Sequence, residues 1–121
     1  MSDTITATVQ RYLELIEKGS ADDIVALFAD DATVEDPVGS EPRVGRQAIR
    51  EFFATLESLE RQTELVSLRV CGQEAAFQFV ITFSAGDSRM CLSPIDTMVF
   101  DSDGRIVAIR SYFSPSDVTP V

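Results

Sequence analysis

Near residue 60 the spacing of apolar residues changes from three and four to two, and that switch limits the possible folds more than any other feature of the chain. Before it, Ile5, Val9, Tyr12, Leu13 and Ile16 recur at helical spacing until Gly19 stops the run. Ser20 caps a second helix, with Asp23 three positions on, and Ile24, Leu27 and Phe28 form its inner stripe. Ala32 to Asp36 alternates as a short strand, which Pro37, Gly39 and Pro42 break into a loop. A third helix starts after Gly45 and buries Ile49, Phe52, Phe53 and Leu56.

After the switch, Val66, Leu68 and Val70 share one strand face, and Gly72 turns the chain. Ala75, Phe77, Phe79, Ile81 and Phe83 share the inner face of a long strand that ends at the turn Gly86-Asp87-Ser88. Met90, Leu92, Met98 and Phe100 face the same way, with Pro94 marking a bulge or bend between them. Asp101 to Gly104 is a hairpin turn, Ile106 to Phe113 a last strand, and the tail from Ser114 reads as frayed. Helices followed by a meander give an α+β domain, in which three N-terminal helices cover a curved antiparallel sheet and leave a deep apolar pocket. A length of 121 residues fits one such domain, residues 1–121.

Composition narrows the chemistry. There is no histidine, which removes Ser-His-Asp and Cys-His catalysis and every imidazole base or metal ligand. Acid–base work falls to carboxylates, Tyr, Lys or Cys, and the single lysine, Lys18, sits beside a helix end. A net charge of −10 argues against nucleic acid and against an anionic membrane surface. Cys71 and Cys91 lack the spacing of a disulfide framework or zinc site and read as thiols of a reducing, cytoplasmic protein. The N-terminus has no basic, then apolar, leader pattern, and no apolar run reaches membrane-span length.

Face assignments single out three polar residues. Period two turns Asp96 toward the side of Met90, Leu92, Met98 and Phe100, where burial favours the neutral acid. Asp36 shares a face with Ala32 and Val34 while Glu35 takes the other, which puts an ionised carboxylate at a strand end within reach of a ligand. Tyr12 lies on the inner stripe of the first helix, and its hydroxyl needs a partner. Each has an ordinary alternative: an Asp turned outward at Pro94 or paired with an Arg, a turn former before Pro37, a core Tyr bonded to a carbonyl. Together they supply a base, a phenol and a neutral acid around an apolar hollow, a set suited to removing a proton beside a ketone.

The run from Ile24 to Arg43, with Val9-Gln10-Arg11-Tyr12 before it and Pro94-Ile95-Asp96 after it, closely resembles bacterial Δ5-3-ketosteroid isomerase across nearly the whole chain. The resemblance implies a cone-like, nuclear-transport-factor-like fold. It implies conversion of a 3-oxo-Δ5-steroid to the conjugated 3-oxo-Δ4-steroid, with Asp36 moving a proton from C4 to C6. Tyr12 and protonated Asp96 would hold the dienolate oxygen. It further implies a homodimer packed through its sheets and no cofactor or metal. Phe52, Phe79, Phe83, Met98 and Phe113 are the candidate steroid wall. Some members carry Tyr residues that support the catalytic Tyr; the matching positions here are Phe28 and Phe53.

Two rivals share the fold. An epoxide hydrolase would want an inward Asp-Arg-Asp set, for which Arg110 is the one inner-face candidate. A non-catalytic binding or dimerisation module has no need of three inward polar groups.

Overall fold

The computed structural model describes residues 2–121; Met1 lies outside them. Three helices, α1 (Ser2–Lys18), α2 (Ala21–Val25) and α3 (Arg46–Ala54), cover one face of a sheet. The strands are β1 (Phe28–Glu35), β2 (Arg43–Val44), β3 (Arg61–Cys71), β4 (Glu74–Ala85), β5 (Ser88–Leu92), β6 (Ile95–Phe100), β7 (Ile106–Tyr112) and β8 (Thr119–Pro120). β4 organises the sheet. One of its sides pairs with β3 along its length; the other pairs first with β6 and then with β5. The change of partner falls at Pro94, so the expected bend is real and divides what alternation alone would read as one strand.

The sheet is mixed, not wholly antiparallel: β1 runs parallel to β7, with Val34 beside Ile109. A partner more than 70 residues away leaves no mark on local alternation, so the sequence pattern could not show it. Two further local expectations change. α2 stops at Val25, and Phe28 opens β1 instead of extending the helix. In β3 the register slips between Leu65 and Ser67, so Val66 bulges outward at 56% exposure and Leu65, Leu68 and Val70 pack on the core.

The helices are placed by specific bonds. α1 buries Ile5, Val9, Tyr12, Leu13 and Ile16 as its spacing requires, with Leu15 as well. Gly19 comes next because a Cβ there would strike the Leu15 backbone, at 2.9 Å from its carbonyl oxygen. Ser20 accepts from the Asp23 N–H and starts α2. Buried Arg61 donates to the carbonyls of Glu17, Gly19 and Leu56, joining the end of α1 and the exit of α3 to β3. The tail, expected to fray from Ser114, makes a 3₁₀ turn at Pro115–Asp117 and then pairs β8 with β5. Among the described residues no helix is long and apolar enough to cross a membrane.

Candidate active site

Between the helices and the concave sheet face lies a cavity that opens to solvent. Among the described residues its walls are apolar apart from four side chains: Tyr12 from α1, Asp36 just beyond β1, Asp96 from β6 and Ser111 from β7. Phe52, Phe79, Phe83 and Phe113 border it, as expected. Met98 does not. It is wholly buried in the core beneath the cavity, because an inward position near the middle of β6 meets packed side chains and not the hollow. Inward apolarity alone could not separate those two surroundings.

Asp96 is 2% exposed and accepts from the Ser111 hydroxyl at 2.6 Å. Burial raises its pKa to about 7; the Ser111 hydrogen bond opposes the rise and the negative charge of Asp36 adds to it. At neutral pH this carboxyl is therefore poised between acid and anion. Asp36 sits at a better-hydrated place. Burial raises its pKa too, but the Arg43 guanidinium pulls the other way. That guanidinium stacks 4.3 Å from the centre of the Phe52 ring and donates to the backbone carbonyl of Asp36 at 3.0 Å.

The loop carrying Asp36 is held on two sides. The Val38 N–H donates to the Ser111 carbonyl at 2.8 Å, and the Gly39 N–H to Glu35 Oε2 at 2.9 Å. Glu35 takes the opposite face from Asp36, as alternation requires, and there accepts from Arg110 at 3.0 Å. Arg110 is thus an outer-face residue and not the inward cation an epoxide hydrolase would want. It alternates with Ile109 and Ser111, which point in. The buried arginine, Arg61, is itself outside the cavity lining and is spent on the backbone carbonyls of Glu17, Gly19 and Leu56.

Tyr12 is 4% exposed, yet its hydroxyl makes no hydrogen bond within the protein among the described residues and borders the cavity. Burial, then the charges of Asp96 and Asp36, hold it well above the ordinary tyrosine value, so it remains a donor at neutral pH. Phe53 meets its ring edge-on at 6.1 Å, and Phe28 packs behind Phe53. Both positions named for the missing Tyr support are therefore rings with no hydroxyl to offer. Ser111 was missed by the sequence reading, although its place two residues after Ile109 and two before Phe113 marked it as inward.

The sequence matches the SnoaL-like domain family over residues 9–109. It is 45% identical to the "Steroid Delta-isomerase" of Nocardioides simplex, across 99% of this chain and 99% of that one. The chain belongs to the steroid Delta-isomerase family. Among solved structures, the epoxide hydrolase/cyclase-like enzyme SalBIII, described in pyran ring formation in the polyether salinomycin, superposes with a TM-score of 0.92 at 25% identity, covering 99% of this chain and 98% of that one. RV0760c of Mycobacterium tuberculosis superposes at 0.90 with 20% identity, covering 98% and 96%, and speaks to the fold alone. Within a fold this permissive, the steroid Delta-isomerase family is told apart by side chains and not by the path of the backbone.

Proposed function

We propose that this chain isomerises 3-oxo-Δ5-steroids to 3-oxo-Δ4-steroids by moving one proton from C4 to C6. Ionised Asp36 takes the C4 proton, the C4–H electrons pass into a dienolate, and the proton returns at C6 as the conjugated enone forms. Tyr12 and neutral Asp96 donate to the steroid O3 while it carries negative charge. That developing charge beside Asp96 favours its neutral form further, so a carboxyl poised near neutrality becomes a committed donor as the reaction proceeds. The supporting observation is the cavity itself: three groups able to move or donate a proton share one hollow whose other walls, Ser111 apart, suit a flat hydrocarbon. The likeness to the Nocardioides simplex steroid isomerase supports the same reading.

Opening of an epoxide, suggested by the likeness to SalBIII, fits less well, because among the described residues no arginine lines the cavity. We also infer a cytoplasmic homodimer. Free Cys71 and Cys91 suit a reducing compartment, and Val66, Ile95 and Tyr112 expose apolar surface on the outer side of the sheet. Light scattering at micromolar concentration should give twice the mass of the chain.

The decisive assay tracks the absorbance of the conjugated enone with 5-androstene-3,17-dione as substrate. Turnover that vanishes in Asp36→Asn supports the proposal. Absence of turnover by the unaltered protein overturns it.

A further inference from the structure

Ser111 lies on β7 directly across from Asp96 on β6, fully buried. Its hydroxyl donates to Asp96 Oδ1 and its carbonyl accepts from the N–H of Val38, two residues past Asp36. A single residue thus ties the strand bearing one aspartate to the loop bearing the other. A neutral carboxyl has one protonated and one bare oxygen, and the bare oxygen is the acceptor. With Oδ1 occupied by the Ser111 hydroxyl, the proton belongs on Oδ2. That oxygen has no protein partner but is not sealed away: among the described residues no buried polar side-chain atom lacks a partner, and Asp96 borders the cavity.

We propose that Ser111 is a positioning residue that keeps the Asp96 proton on the oxygen facing the cavity and sets the pH at which that proton is lost. The catalytic half of this inference rests on the proposed isomerase reaction; the ionisation half does not.

A hydroxyl donor favours the carboxylate over the acid, so Ser111 works against burial and keeps the Asp96 pKa lower than its surroundings would. The titratable groups facing Asp96 are Tyr12 from α1 and Asp36 from the end of β1. β4 contributes the Phe77 ring beside it, and α3 only the rings of Phe52 and Phe53 at the cavity. Of these only Tyr12 carries a hydroxyl donor, and among the described residues it makes no hydrogen bond to Asp96.

The test uses protein labelled with ¹³C at the aspartate carboxyls. The Asp96 resonance is assigned by its loss in Asp96→Asn and titrated in the unaltered protein, Ser111→Ala and Ser111→Thr. In Ser111→Ala the midpoint should rise, with roughly a tenfold change in the ionisation constant. The alkaline limb of kcat for enone formation should move upward with it. On the plateau kcat should fall by about 10- to 100-fold from loss of aim, while KM stays within about twofold. Threonine should restore both. A midpoint that stays put or falls, or an unchanged plateau kcat, overturns the proposal. Should alanine unfold the protein, Ser111→Thr against Ser111→Val gives the same comparison in two side chains of one shape. If the unaltered protein forms no enone, the reaction is wrong, and the resonance titration still decides what Ser111 does to Asp96.

Discussion

Asp36 hangs from a loop at the rim of β1, whereas Asp96 stands within a strand with a hydrogen-bonded neighbour on each side. The two share a cavity, and burial raises the pKa of both. Their difference lies in what opposes burial. Asp36 has a full positive charge nearby in Arg43; Asp96 has only the dipole of a hydroxyl. The cation beside Asp36 favours its ionised form against burial, whereas a hydroxyl dipole opposes burial at Asp96, whose pKa still rises to about 7. On the proposed reaction, one residue type would serve as base and as acid in the same hollow because the backbone gives each a different neighbour.

The sharpest attack on this contrast is Asp36→Asn. Turnover should drop by ~10²–10⁴-fold, while binding of a planar phenolic steroid, monitored by fluorescence, survives. Activity near that of the unaltered protein would make the loop aspartate irrelevant to the proton. Next in size, Tyr12→Phe and Asp96→Leu should each cost ~10²–10³-fold in kcat. Asp96→Asn should lose less than about tenfold, since an amide oxygen can accept from Ser111 and its N–H can point into the cavity. Equal damage from Asn and Leu would show that shape, and not a neutral donor, is what position 96 supplies.

Stability sharpens the contrast from another side. A carboxyl whose pKa is raised on folding binds more protons in the native state, so it costs nothing below about pH 3.9, where both states are protonated. Stability then falls as pH rises through the window up to the folded value of about 7, and the loss from Asp96 is full above it. That window corresponds to ~4 kcal/mol, a large share of the ~5–15 kcal/mol of a typical domain. Urea unfolding should show this decline between pH 4 and pH 8 in the unaltered protein and a much flatter profile in Asp96→Asn. The smallest effect belongs to Arg43→Gln. Losing the cation lets burial raise Asp36 further, so the acid limb of kcat should move to higher pH by less than about one unit. A limb that moves to lower pH would mean that Arg43 does not act on the base.

Much of this arrangement was legible because it depends on parity. Counting in twos placed Asp96 inward even across the break at Pro94, since Pro94 is itself buried and the count continues through it. The same count placed Asp36 and Glu35 on opposite faces and, applied to Ile109 and Phe113, would have found Ser111 and turned Arg110 outward. The features that escaped are those that parity does not carry. Val66 is as apolar as Leu65, so nothing local announces which of them bulges. Met98 and Phe79 both point inward and join the core, but only the depth of the surrounding packing decides that Phe79 also borders the cavity. The parallel pairing of β1 with β7 and the folded tail depend on partners remote in sequence. The polar run Ser114 to Asp117 resembles a disordered end until β5 is there to receive Thr119 and Pro120.

That returning tail shields a vulnerable border. Thr119 and Pro120 lie against Cys91 and Met90, and the N–H of Val121 reaches the Arg89 carbonyl at 2.9 Å. Clipping the chain after Phe113 would leave all four polar side chains of the cavity in the protein but uncover a row of backbone donors and acceptors ready to recruit a strand from another molecule. Such a shortened protein would be expected to precipitate on storage before it lost its chemistry, making the last few residues a guard against self-association.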